Sequence, residues 1–212
     1  MSDRQLFSRA WSVWRNEGPR SFWFKLCDAA GCHRLLVLER SLADPIPQFE
    51  PRLPVSLQLL PDDALDDCLA ARPGLPRALV LERRRAGDAC FVARHEGTVV
   101  ASCWAATRRA RAAYVGWDVD LPEGVVYLYD AYTAPAHRGA GVARALCLHQ
   151  LRHLRAAGLS LATRMTLPWN QPALRLHTGC GFRVVGVRGR LELGPWRRDF
   201  ERLPRAGQGE AR

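Results

Sequence analysis

Residues Thr133 to Leu146 read TAPAHRGAGVARAL: a proline, an arginine and two close glycines ahead of an amphipathic run. Gly139 and Gly141 lack a Cβ, so the backbone turns sharply there and a ligand can come close. The first turn of the following helix offers unpaired N–H groups and the positive end of its dipole, and together these hold an anion. Arg138 adds a guanidinium able to grip phosphate through two hydrogen bonds. Two other phosphate motifs fail. A dinucleotide fingerprint needs a third glycine where this chain has Arg144, and an acid in the next strand, where LSLATRM has none. A P-loop needs Gly-Lys followed by Ser or Thr, which the sequence lacks.

Flanking elements must hold this turn in place. VVYLYDAYT reads as a strand ending at Pro135, and a helix follows to about Ala157. LSLATRMTL reads as another strand, and NQPALRLHTGCGF as a short helix closed by Gly179 or Gly181. FRVVGVRGRLEL reads as two strands around Gly189. Upstream, VSLQLL is a strand, and PDDALDDCLAARPG and PRALVLERRR are helices. ACFVARHEGTVVASCWAAT is a hairpin turning at Glu96-Gly97. RRARAAYVGWDVDLPEG is a loop with at most a short edge strand. Strand alternation puts Tyr127 and Tyr129 on one face and Tyr132 on the other.

Residues 1 to 54 differ from the rest. A helix starts near Ser2 and Gln5 and runs to about Arg15. A second helix, SFWFKLCDAA, stops at Gly31, RLLVLE forms a strand, and prolines 45, 47, 51 and 54 mark an extended linker. The expected organisation is therefore a helical, aromatic extension over 1–54, an α/β domain over 55–200, and a disordered tail over 201–212.

The order strand, P-x-x-R-G-x-G-x-A, amphipathic helix, strand, N-x-x-A, then G-F resembles the GNAT superfamily of acyl-CoA-dependent N-acetyltransferases. Here those elements are Pro135, Arg138 to Ala143, Asn170, Ala173 and Gly181-Phe182. The resemblance implies an α/β (α+β) fold with a mixed, mostly antiparallel central sheet flanked by helices. It implies acetyl-CoA as acyl donor. It assigns the coenzyme diphosphate to Arg138, Gly139, Ala140, Gly141, Val142 and Ala143. It also implies that the pantetheine arm pairs with a splayed strand edge at Ala131, Tyr132 and Thr133, and touches Asn170.

An amine must be neutral before it attacks a thioester, and an alkylamine has a pKa near that of lysine, about 10.4. A base is needed, then N–H donors for the oxyanion, then a proton for the thiolate. Asp130 is the only acid within VVYLYDAYT and lies near the acyl group under the resemblance. Its alternatives are a solvent-facing carboxylate or an arginine pair. Glu123 begins the same strand and is reached through water. His177 stands where the family often has a thiolate-protonating tyrosine, and its alternative is a packed histidine. His149 and His153 lack further ligands, as do Cys27, Cys32 and His33, so no metal is expected. Cys180 as a covalent nucleophile would need a neighbouring base.

The chain carries a net charge of +10, and Lys25 is its only lysine. The arginines are scattered and no nucleic-acid-binding signature accompanies them, so no nucleic-acid partner is expected. Seven cysteines without a C-x-x-C pair read as reduced thiols of a cytoplasmic protein. The N-terminal aromatics read as packed on the parent domain rather than as a membrane contact. The acceptor is expected to be a small-molecule or peptide amine, and a homodimer is carried as an option because many relatives dimerise. Two other functions stay open: transfer from a long-chain acyl-CoA or acyl carrier protein, and a non-catalytic CoA-binding or partner-binding module.

Overall fold

A computed structural model describes residues 19, 21–112 and 114–203. The helix expected near Ser2 and the end of the chain past 203 lie outside the described residues. The chain forms two compact units, one of Met1–Leu38, Met165–Arg175 and Val184–Arg212, the other of Glu39–Arg164 and Leu176–Arg183. No helix among the described residues is long and apolar enough to cross a membrane.

In the first unit, helix α1 covers 21–29 and leads into β1 (Cys32–Ser41). Strands β9 (Arg183–Leu193) and β10 (Trp196–Arg202) pair antiparallel, from Trp196 opposite Leu193 to Arg202 opposite Val187. The expected break at Gly189 does not occur, and the turn lies at Gly194 instead. Gly189 stays within the strand because a Cβ there would run into the Phe200 ring and the His33 carbonyl. The glycine permits close approach, not a turn.

The second unit holds strands in the order β8-β7-β4-β3-β2. These are β2 (Ser56–Leu59), β3 (Ala89–His95), β4 (Thr98–Ala106), β7 (Val125–Thr133) and β8 (Leu161–Thr166). Only β7 and β8 run parallel; the other pairings in this unit are antiparallel. The expected hairpin turn at Glu96 and Gly97 is present, and both residues have positive φ, 49° and 81°, as a tight hairpin turn of this hand requires. The stretch read as a loop is a two-stranded sheet of β5 (Arg109–Ala112) and β6 (Trp117–Asp120). Its cross-strand pairs set Arg109 opposite Asp120 and Arg111 opposite Asp118, opposite charges that favour pairing where apolar signal is sparse.

Side chains alternate across β3. Cys90 and Val92 join Trp104, Leu60, Val80 and Cys68 in one core with α2 (Leu65–Ala71) and α3 (Arg77–Arg85). Phe91 points the other way, edge-on to His149 and His153 of α4 (Val142–Ala156), with ring centroids 6.4 and 5.2 Å away. Helices therefore cover both faces of this sheet. Each large apolar side chain buried here contributes roughly 1.5–3 kcal/mol, which holds β4 and β7 rigidly where the site needs them.

Candidate active site

The glycine turn lies between β7 and α4. A short 3-10 turn, Pro135–His137, follows β7, then Gly139 and Gly141 take φ of 77° and 87° before α4 begins. The N–H groups of residues 139 to 143 carry no hydrogen bond among the described residues. Five successive donors therefore stand without a partner among the described residues at the N-terminus of a 15-residue helix, the arrangement that cradles an anion. Arg138 donates from Nε to the Thr133 carbonyl at 3.1 Å, which anchors its stem and leaves both terminal nitrogens for a ligand.

The other side of the turn is strapped. The Arg52 N–H donates to the Ala140 carbonyl at 2.9 Å, and the Arg52 guanidinium donates to the Gly139 carbonyl. A Cβ on Gly141 would press on the Phe49 ring and the Pro51 backbone. Phe49 also lies under the Arg144 guanidinium, 4.5 Å from the ring centroid. Arg152 donates to the Pro47 carbonyl at 3.0 Å. The proline-marked linker is thus packed along the turn over 47–52.

Strand β7 makes the second feature. Its parallel pairing with β8 ends at Tyr127 opposite Thr163, yet β7 continues to Thr133 against β4. The β8-facing edge of Ala131, Tyr132 and Thr133 thereby has no ladder partner among the described residues. Against β4, Tyr132 faces Ser102 and Tyr129 faces Trp104. Three steps on β7 match two on β4, so β7 bulges at Asp130 and Ala131. Asp130 has φ of 48°, in the left-handed region that non-glycine residues seldom occupy. The extra residue returns Tyr132 to the face of Tyr129, against the simple alternation expected from sequence.

Two arginines hold this bulge. Arg72 and Arg83 each donate to one Asp130 carboxylate oxygen at 2.6 Å. Arg83 lies over the Trp104 and Tyr129 rings, 5.1 and 5.0 Å from their centroids, and Arg72 lies 5.2 Å from that of Tyr132. Burial pushes the Asp130 carboxyl up, but the hydrogen bonds and charges of Arg72 and Arg83 outweigh it and hold it below its ordinary value. Asp130 is the arginine-paired carboxylate that the sequence left open as an alternative.

A cavity of about 410 Å³ opens beside the bulge, lined by Tyr127, Tyr129, Asp130, Arg83 and Asp88 among others. The Tyr127 and Tyr129 rings stack at 5.7 Å and form one wall. Asp88 is set in place by the end of α3. Gly87, with φ of 84°, donates its N–H to the Arg84 carbonyl and Asp88 donates its own to Arg83, closing the helix. The Tyr129 hydroxyl donates to the Asp88 carboxylate. Burial raises the Asp88 carboxyl above its usual value, with Tyr129 and Arg83 opposing.

The remaining sequence candidates lie elsewhere. Glu123 sits exposed in the turn before β7, not on the strand, and does not line the cavity. His177, on α5 (Gln171–Gly179), is 6% exposed and accepts from Arg164 Nη1 at 2.5 Å. Burial and the Arg164 charge push its pKa down to about 2, so the imidazole is neutral. It is a packed histidine, edge-on to Phe182. Asn170 belongs to the first unit, where its Oδ1 accepts the Ala173 N–H at 3.2 Å and caps α5. No cluster of metal-ligating side chains occurs among the described residues. Sequence reasoning missed Arg52, Arg72, Arg83 and Asp88. Arg83 was hidden in the surface-like run ERRR, and Asp88 in a plain Gly-Asp turn.

The acetyltransferase (GNAT) family model matches residues 57–182, which include the turn, the bulge and the cavity. The chain is 34% identical over 172 residues to a mycothiol acetyltransferase of Frankia casuarinae, covering 70% of this chain and 47% of that protein. It is 33% identical over 130 residues to a phosphinothricin N-acetyltransferase of Streptomyces viridochromogenes, covering 57% and 66%. The chain thus spans about half to two thirds of these relatives' lengths. A GNAT-family structure from Novosphingobium aromaticivorans superposes with a TM-score of 0.54 at 19% identity, covering 74% of this chain and 62% of that one, and so shares the fold. With more than half of its residues inside the family match, the chain belongs to the GNAT acetyltransferase family.

Proposed function

We propose that this protein transfers an acetyl group from acetyl-CoA to the primary amine of a small molecule, by direct attack within a ternary complex. The observation that carries this reading is the row of five N–H groups at residues 139 to 143 that have no partner among the described residues, with the carbonyls of Gly139 and Ala140 tied to Arg52 on the opposite side. The amides of Gly139, Ala140, Gly141, Val142 and Ala143, with Arg138, hold the diphosphate. The unpaired edge of β7 at Ala131, Tyr132 and Thr133 receives the pantetheine arm. Asn170 is assigned to the same arm by family resemblance alone. The family match over 57–182 supports reading 55–200 as the acetyltransferase domain, with 1–54 as an extension.

Acetyl-CoA supplies an acetyl thioester whose carbonyl takes up negative charge on attack. The bulge at Asp130 and Ala131 turns main-chain groups out of the ladder, where an N–H meets that charge. Asp130, tied to two guanidiniums, holds Arg72 and Arg83 against the aromatic wall and is not free to take a proton. The neutral, buried His177 supports the core beneath. A small-molecule acceptor is supported by the cavity beside the bulge and by relatives named for mycothiol and phosphinothricin.

Calorimetric titration of acetyl-CoA into wild type and Gly141→Ala tests the assignment. The left-handed backbone at 141 costs an alanine about 1–2 kcal/mol, and the Cβ meets Phe49. Affinity should fall by about tenfold or more. Equal affinity in the two proteins would remove the turn from the site.

A further inference from the structure

We propose that Asp88 is the group that receives the acceptor's ammonium and takes its proton. This rests on the acetyltransferase reading above, in which the cavity beside the bulge holds the acceptor.

Four carboxylates line the cavity: Glu82, Asp88, Asp118 and Asp130. Three of them take guanidiniums. Asp130 pairs with Arg72 and Arg83, Asp118 with Arg111 and Arg109, and Glu82 with Arg111. Every arginine of the lining is likewise engaged. Asp88 alone accepts no guanidinium among the described residues; its partner is the neutral Tyr129 hydroxyl. A half-buried carboxylate facing a cavity, with no guanidinium bonded to it and the Arg83 charge only partly offsetting its burial, favours a cation placed against it. A primary ammonium is such a cation.

Position agrees with the role. Tyr129 joins Asp88 through its hydroxyl and Asp130 through the chain, so Asp88 is one side chain removed from the bulge. The carboxyl lies above its ordinary value, toward that of the amine, because it is buried. The charged groups facing it are Arg83 and Glu82 from α3, Asp130 from β7, Arg109 and Arg111 from β5 and Asp118 from β6. All six are already engaged in ion pairs.

The step balances. The Asp88 carboxylate takes one proton from the ammonium. The freed nitrogen pair forms the N–C bond to the thioester carbon, and the C–S bond breaks as the tetrahedral adduct collapses. The second nitrogen proton passes to the thiolate, and Asp88 releases its own to solvent.

The test compares wild type, Asp88→Asn and Asp88→Glu, with thermal melting to establish folding. Three readouts are used: acetyl-CoA affinity, kcat/KM against pH for the best amine of a panel of amino acids, amino sugars and polyamines, and binding of n-butylammonium. Asp88→Asn should keep acetyl-CoA affinity and lose roughly 10²–10⁴ in kcat/KM at neutral pH. Wild type should level off above the Asp88 pKa. The asparagine variant should instead climb tenfold per pH unit until the amine itself deprotonates, and Asp88→Glu should restore part of the plateau. Butylammonium should bind wild type and not Asp88→Asn. Turnover within threefold of wild type, an unchanged pH profile, or no binding of butylammonium and no amine turnover by wild type would each overturn the proposal. Loss of acetyl-CoA binding in wild type would instead overturn the parent reading, with the butylammonium result still deciding the role of Asp88.

Discussion

Arg164 Nη1 lies 2.5 Å from His177 Nδ1, a guanidinium against an imidazole that in water takes up a proton below about pH 6.5. The contact forms because the imidazole is neutral and offers a lone pair to the guanidinium. His177 therefore has a folded pKa of about 2, against an ordinary value near 6.5 in the unfolded chain. The unfolded state binds the extra proton, so stability declines as pH falls below about 6.5. The loss reaches about 2 kcal/mol at pH 5. His177→Gln, which keeps an acceptor for Arg164, should remove this slope in urea midpoints measured from pH 7 to 5. An unchanged slope, or an imidazole that titrates near neutrality by NMR, would refute the neutral assignment.

The strap over the glycine turn predicts a second, separable effect. A peptide plane sets its C=O and N–H in opposite directions. Arg52 fixes the carbonyls of Gly139 and Ala140, and so aims the N–H groups of Ala140 and Gly141 away from the strap. Arg52→Ala should weaken acetyl-CoA binding about fivefold, the worth of a hydrogen bond near 1 kcal/mol. It should leave kcat unchanged at saturating donor. Acetyl-pantetheine, which has no diphosphate, should bind both proteins alike. An equal loss for both donors would mean that Arg52 acts through general stability instead.

What could be read from the sequence was what local chemistry determines. Gly139, Gly141 and Pro135 specify a turn whatever surrounds them, and the flanking β7 and α4 carry strong periodicity, so both elements match their expected positions within about two residues. The β5–β6 sheet was missed because β5 offers only alanines as apolar residues and the pairing rests on Arg–Asp contacts that only a folded hairpin creates. The bulge was missed because nothing in YDAY announces that β4 skips a residue opposite it. That one step moved Tyr132 to the face of Tyr129 and turned Asp130 toward Arg72 and Arg83. Arg72 is 58 residues from Asp130 in sequence, and Arg52 is 87 from Gly139. Such partners are set by topology, which periodicity and motif do not encode.

The Arg72–Asp130–Arg83 cluster makes the last prediction, in stability and its acid dependence. Asp130 is held below its ordinary value in the folded protein, so its contribution is present above the unfolded carboxyl pKa, about 3.9, and is lost as pH falls through the lower folded value. Asp130→Asn leaves two guanidiniums against aromatic rings with no counter-charge, while an asparagine tolerates the left-handed backbone there as aspartate does. The cluster is partly exposed, so the cost at pH 7 should be about 1–3 kcal/mol, below the 3–5 kcal/mol of a fully buried pair. Between pH 4 and 2.5 the wild type should lose stability that the variant no longer has to lose, and their denaturant midpoints should converge. Urea unfolding at pH 7, 4 and 3 measures both. A variant as stable as wild type at pH 7, or one that keeps the full difference at pH 3, would mean that the two arginines do not depend on Asp130 for their charge balance.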